Sequence, residues 1–390
     1  MSTNIVRSGL RAFLCGSLSI AALSMAAPTL AADLETPFVK APVRGETRMF
    51  VEGGAFWTGG DAIQFGNGDP FFGGKILRND RFPPNGEFPP CNGLAPAAAP
   101  LAGIVVGNGN GLCDGGRPDP SVRPGIGVDG AAGFDHRFAG TRWHVNGEGR
   151  AGVSWGTESF TDTFNISGGT GLNSLAFSAT ATTEAKLTEW HWHADLGMGY
   201  DVISGRAPLQ IKFGLRVAEV AAITKTTTNA AFNVQFPIGT TVVTATTNDL
   251  FTERRTFLGA GPRIGMEGEV PLWWGWTLDY KGDAAVLFGN TKIQSDSVTS
   301  FSLVAPTVPL SISATTNGDN FHWSKQIYVW NFDLQAGIGY WITPSMKVAL
   351  SYRVDVFLDP LRQLPDDTLP GRSIDRYYHG PKLTLVGRWW

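Results

Sequence analysis

Between residues 142 and 155 the chain sorts into two alternating sets. Trp143, Val145, Gly147, Gly149, Ala151, Val153 and Trp155 form one, and Arg142, His144, Asn146, Glu148, Arg150, Gly152 and Ser154 the other. Successive side chains of a β-strand point to opposite faces, so this stretch predicts a strand that is apolar on one side and charged on the other. It is much longer than the usual soluble strand of about five or six residues. Tryptophan brackets the apolar face at both ends. A membrane-spanning strand needs roughly 9–11 residues of this alternation, with aromatic side chains where the lipid headgroups begin.

The same pattern recurs. The first strand is expected at residues 47–58, its facing blurred by Gly53-Gly54, and the second at 125–138. In 184–202, Trp190, Trp192, Leu196, Met198 and Tyr200 oppose Glu189, His191, His193 and Asp195. After a turn at Ser204-Gly205-Arg206, Ile211, Phe213 and Leu215 oppose Gln210, Lys212 and Arg216. Strands follow at 250–267, with Arg263 inside, and at 273–288, with Thr277, Asp279, Lys281 and Asp283 inside. Two more, around 328–340 and 347–356, place Asn331, Asp333 and Gln335, then Lys347, Arg353 and Asp355, on the polar side, and 377–390 closes the series. Loops are expected at 59–124, 156–183, 224–249 (with a small hairpin near Pro237), 290–322 and 358–375. The expected fold is therefore all-β: a transmembrane antiparallel up-and-down β-barrel of about ten strands, with long loops on one rim and short turns on the other. In lipid every backbone polar group must be paired internally, which requires the sheet to close. A soluble sandwich would have shorter strands around a dry core.

Composition fits this picture. Charged residues make up only 17% of the chain, while Gly (49) and Trp (13) are abundant. Mean hydropathy is close to neutral, as expected when lipid sees only every second residue. Residues 1–32 read as a signal peptide, with Arg7 and Arg11 before an apolar core and small residues up to Ala32. Residues 33–46 read as a periplasmic leader and 47–390 as the barrel. Removing the signal takes two of the 31 basic residues and none of the 34 acids, leaving a net charge of −5. That balance offers nothing to nucleic acid. Cys15 leaves with the signal. Cys91 and Cys113 remain, an even pair in an exported chain, and read as a disulfide stapling the 59–124 loop.

The candidate functional residues are the inward ones: Arg142, His144, Glu148, Arg150, His191, His193, Asp195, Lys212, Arg216, Arg263, Asp279, Lys281, Asp283, Arg353 and Asp355. Charges lining a lumen set ion selectivity. The competing expectation is a salt-bridge network that plugs a narrow barrel. The His191-x-His193-x-Asp195 run puts three side chains on one face about 6.5–7 Å apart. A lumen metal or an acid–base site is geometrically possible there. A metal would need further ligands and a catalytic histidine an orienting partner, and the sequence places neither. The run is read as lining water, and no metal or cofactor is expected. Gly152-Val153-Ser154-Trp155-Gly156 matches a nucleophile-elbow pattern, which has meaning only on a strand-to-helix turn. No enzyme is expected, and Asp366-Asp367 reads as a solvated loop pair.

The run Gly259-Ala260-Gly261-Pro262-Arg263-Ile264-Gly265, the Trp-rich strand ending Leu287-Phe288-Gly289, and His379-Gly380-Pro381 resemble the Legionella-type pore-forming major outer membrane protein family. The start Ala32-Asp33-Leu34 resembles outer-membrane precursors of alphaproteobacteria. The resemblance implies a pore for ions and small hydrophilic solutes in the outer membrane. Expected partners are outer-membrane lipid, the barrel-assembly machinery during insertion, and the solutes themselves. Against the pore stand two other expectations: a closed barrel serving as a surface adhesin or structural protein, and an outer-membrane hydrolase.

Overall fold

The computed structural model describes residues 45–60, 63–64, 104–105, 121–122, 125–168, 175–204, 207–235, 242–305, 310–318, 321–362 and 373–390. The expected signal peptide, nearly all of the expected leader, Cys91 and Cys113 with their expected disulfide, and Asp366-Asp367 lie outside them.

Ten long strands form the wall: β1 (Glu46–Gly60), β5 (Ile126–Arg137), β6 (Trp143–Gly168), β7 (Leu175–Ile203), β8 (Leu209–Gln235), β9 (Val242–Pro271), β10 (Trp276–Ala305), β12 (Phe321–Thr343), β13 (Met346–Arg362) and β14 (Ser373–Trp389). Each pairs antiparallel with its neighbours, β9 pairs β10, and β14 pairs β1, so the ring is closed. Four short strands decorate it: β2 (Ile63–Gln64) with β4 (Ser121–Val122), β3 (Ile104–Val105) on the end of β6, and β11 (Leu310–Asn317) on the outer part of β10.

Following the hydrogen-bonded register once around fixes the geometry. From Thr47 the partners run through His136, Val145, Met198, Phe213, Ile264, Ala284, Phe332, Val356 and Tyr377 back to Gly59, a stagger of twelve residues over ten strands. A stagger of this kind is what tilts barrel strands, typically by 35–45°. A line of constant height therefore slips about 1.2 residues per strand against the ladder, toward the short-turn rim in the direction β1 to β14.

The apolar register faces outward throughout. Val51, Leu196, Leu215, Ile264, Leu350 and Leu383 are 59–65% exposed and form a hydrocarbon belt. Aromatic rows edge it on the short-turn side (Trp143 with Tyr200, Trp276 with Tyr340, Trp389) and on the far side (Trp57, Trp155, Phe288, Tyr328, Trp330). Trp389 shares the outward face with Leu383 and Leu385, and Thr47 is its register partner.

Four of the expected loops carry paired strand: besides the three that follow, β13 runs on to Arg362 and β14 starts at Ser373, so both ends of the 358–375 loop are paired. Residues 156–168 and 175–183 are strand, not loop: β6 and β7 remain paired from Trp155–Thr188 out to Gly168–Leu175. Residues 224–235 and 242–249 are the outer parts of β8 and β9, paired out to Gln235–Val242; the small hairpin expected near Pro237 lies outside the described residues, and 290–305 continue β10. These outer stretches are rich in Thr, Ser and Asn, polar on both faces, so they show no alternation. Their β-branched threonines still favour strand, and they project beyond the lipid as a polar sheet. At the opposite rim the seventh strand begins at Trp276 instead of residue 273. Trp273–Gly275 make the turn, with Trp274 at φ 52° and Gly275 at φ 84°.

Candidate functional site: the barrel lumen

The inward register stacks three tiers along the barrel axis. The first, at the short-turn rim, is a vestibule of about 430 Å³. Its charges are paired across strands: Glu46 with Arg137 (2.8 Å) and Arg388 (2.9 Å), Lys347 with Glu269 (2.8 Å) and Asp279 (2.9 Å), and His144 with Asp135 (2.6 Å) and Asp201 (2.9 Å). Lys212 reaches Glu267 at 2.5 Å.

The second tier is an ionic waist midway between the aromatic rows. Arg216 grips Asp195 with Nε and Nη2 (2.7 and 2.6 Å) and also donates to Asn331. Arg353 holds Asp333 the same way (2.7 Å twice) and touches Asp355 at 3.3 Å. Asn331 donates to Asp355 at 2.7 Å, and Arg263 donates to Asp283 at 2.8 Å. Arg150 bridges Glu52 (2.5 Å) and Asp129 (3.1 Å), and Lys382 joins Asp129 at 2.5 Å. Lys281 pairs with Glu148 at the vestibule edge. Two-pronged Arg–carboxylate contacts are the strong form of this interaction. Stripping so many charges of bulk water is tolerable because nearly every one has a partner.

The third tier is mainly apolar, with the buried Arg255–Glu253 ion pair at its outer edge. Phe56, Leu187, Val220, Phe257, Leu287, Val329, Phe357, Leu361 and Ile374 point inward and are each at most 1% exposed. Tyr378 sits at the junction of the last two tiers, its hydroxyl donating to Glu189 at 2.6 Å while Arg376 donates to the same carboxylate at 2.9 Å. Along the axis, a polar vestibule therefore gives way to a charged constriction and then to a largely apolar ring.

Fourteen of the fifteen predicted lumen residues are inward. His144, Lys212 and Asp279 line the vestibule; Glu148 and Lys281 lie where it meets the waist; Arg150, His193, Asp195, Arg216, Arg263, Asp283, Arg353 and Asp355 belong to the waist; His191 borders the apolar ring. Arg142 is the exception: it lies exposed on the 138–142 turn. That turn uses Gly140 at φ 69°, and the alternation starts one residue later than expected. His191 stacks on Tyr378 with ring centroids 3.9 Å apart, and no ring nitrogen of His191 or His193 has a hydrogen-bond partner among the described residues. Asp195 is committed to Arg216, so the three do not converge, and among the described residues no His, Cys, Asp and Glu cluster is arranged to hold a metal. Ser154 is buried in mid-strand, accepting from Thr58 at 3.0 Å.

Glu52, Asp129 and Lys382, central to the waist, were not expected from the sequence. Gly53-Gly54 interrupts the alternation around Glu52, and 125–138 and 377–390 offered no clear polar face. The apolar ring was also missed. Its one legible trace is in β8, where the inward register changes from Lys212 and Arg216 to Ala218, Val220 and Ala222.

A closed ring of ten tilted strands, lipid-facing outside and ionised inside, defines an outer-membrane β-barrel. The chain belongs to the family described as Legionella pneumophila major outer membrane protein precursor, which matches residues 139–384. Among solved structures it is similar to the outer membrane protease OmpT of Escherichia coli (10% identity, 91% of this chain and 99% of that one, TM-score 0.35). It is also similar to a FadL homologue of Pseudomonas aeruginosa (9% identity, 89% and 90% covered, TM-score 0.24). A third is the transport unit of the autotransporter AIDA-I of Escherichia coli (8% identity, 92% and 95%, TM-score 0.24). No curated protein matches the chain significantly.

Proposed function

We propose that this chain is a pore-forming protein that passes ions and small hydrophilic solutes across the outer membrane, and that the arrangement described is its shut state. The observation that carries the reading is the order of the tiers. A wet vestibule leads to a charged waist and then to a hydrophobic constriction, and hydrophobic constrictions close pores by excluding water. Cations of the waist have more than one acid within reach: Arg353 faces Asp333, Asp355 and Asp129, and Arg150 faces Glu52, Asp129 and Glu148. Partner exchange among them offers an ion successive counter-charges. The proposal involves no catalytic step and no cofactor.

Planar-bilayer recording of the purified barrel tests it. The expected result is discrete steps of low conductance, whose ion selectivity shifts in Arg150→Gln and stays unchanged in Arg142→Gln. A bilayer that stays silent with correctly folded protein rejects the pore. One observation favours a second reading in that event: the apolar ring is packed to near-zero exposure while a broad polar sheet projects beyond the lipid. A sealed barrel presenting that sheet to a surface partner would be silent in every variant.

A further inference from the structure

Four cations on the outer wall lie at one height. Lys186 on β7 is the direct register partner of Lys225 on β8. Lys225 pairs with Thr252 on β9, and Arg254 lies two residues nearer the membrane. Arg254 pairs with Gln294 on β10, and Lys292 lies two residues nearer again. The slip of about 1.2 residues per strand turns this diagonal into a nearly level row. All four side chains point outward, because the residues flanking them in sequence (Ala185 and Leu187, Thr224 and Thr226, Glu253 and Arg255, Thr291 and Ile293) are buried.

The row sits just above the far aromatic edge. Lys186, Arg254 and Lys292 lie four residues beyond Trp190, Leu258 and Phe288, roughly 10 Å of height at ~3.3 Å per residue and ~40° tilt. That is just past the headgroup zone, which adds about 5–7 Å to each side of the hydrocarbon, and Lys and Arg side chains are long enough to reach back into it. Arg254 leans back toward the lipid, its guanidinium 5.3 Å from the centre of the Trp190 ring.

The patch is local and short of acid. At the same height the outward residues are Thr157 and Ser159 on β6, and Ser324 and Gln326 on β12, all uncharged. Glu184 pairs with Lys186 at 3.0 Å, Asp296 lies four residues farther out on β10, and Glu219 lies below, accepting the Trp192 indole N–H at 2.8 Å. Among the described residues, Lys225, Arg254 and Lys292 have no ion pair. Across four tilted strands the row is roughly 20 Å wide, enough for one large headgroup with separated phosphates.

We propose that Lys186, Lys225, Arg254 and Lys292 form a docking site for the phosphorylated saccharide headgroup of an outer-leaflet lipid, whose acyl chains lie against the belt below. Lys and Arg bind phosphate as point charge and planar fork respectively. The inference rests on the membrane location and not on the pore.

The test uses the full barrel in phosphatidylcholine nanodiscs containing a small fraction of diphosphorylated lipid A, with lipid retained after detergent extraction read by native mass spectrometry. Wild type should keep one lipid A and release the dephosphorylated form. Replacing all four cations by Gln should weaken retention by roughly 600-fold, since each cation at such a surface contributes about a factor of five. Arg254→Lys should hold most of the lipid, and Arg142→Gln all of it. Folding is checked by heat-modifiable gel mobility; should the fourfold variant misfold, Lys225→Gln and Arg254→Gln alone should each cost several-fold. Equal retention by wild type and variants overturns the site, as does complete displacement by millimolar inorganic phosphate, which would make it a free-anion site.

Discussion

The two ends of the lumen solve the same packing problem with opposite materials. Toward the short turns the interior holds paired charges around an open vestibule, with Lys347 between Glu269 and Asp279 and Glu46 between Arg137 and Arg388. Toward the loops it holds phenylalanines and aliphatics as buried as a soluble core, beside the buried Arg376–Glu189 and Arg255–Glu253 pairs. The wall is one sheet throughout, so the difference lies entirely in the inward register. Charges that keep water can rearrange around a passing ion. An apolar ring yields only by side chains moving aside. On the proposed reading, entry and closure are assigned to different heights of one barrel.

The largest effect expected is at the waist between them. Arg353→Met leaves Asp333 and Asp355 buried without their cation and should cost about 3–5 kcal/mol, read as a lowered urea midpoint in micelles. An equally stable variant would mean that the waist is wetter than its burial implies. Phe257→Ala should also cost about 3–5 kcal/mol by opening a cavity in the dry ring, and should raise open probability in a bilayer, which Arg353→Met alone should not. Leu196→Lys, on the lipid side of the waist, should destabilise by about 2–4 kcal/mol. The same change at Val304, half-exposed on the projecting part of β10, should be close to neutral. Equal penalties would place the outer sheet in lipid. The smallest effect is expected in the vestibule: Lys347→Gln loses two part-exposed ion pairs and should cost no more than about 1 kcal/mol, by the same urea titration.

Much of the fold was legible because lipid enforces a strict two-residue rule. Wherever one face meets hydrocarbon, as from Trp143 to Trp155, the sequence shows it, and the ten-strand count and the inward placement of Arg216 or Asp283 follow. Legibility stops where that contrast stops. The Thr-rich outer halves of β8 and β9 are polar on both faces and look like loop, and glycines hide the facing of Glu52. The apolar ring eluded the pattern for the opposite reason: around Phe257 and Leu287 both faces are apolar or small, so no period remains. Pairing partners such as Asp129 with Lys382 depend on the ring closing, which no local stretch contains.

The central claim is that the apolar ring is the closed gate of an ion-conducting lumen. Single-channel recording of the Phe257→Ala, Phe357→Ala double variant beside the wild type tests it most directly. The account predicts brief, rare openings in the wild type and sustained openings of the same ion selectivity in the variant. A folded double variant that conducts no more than an empty bilayer would contradict it.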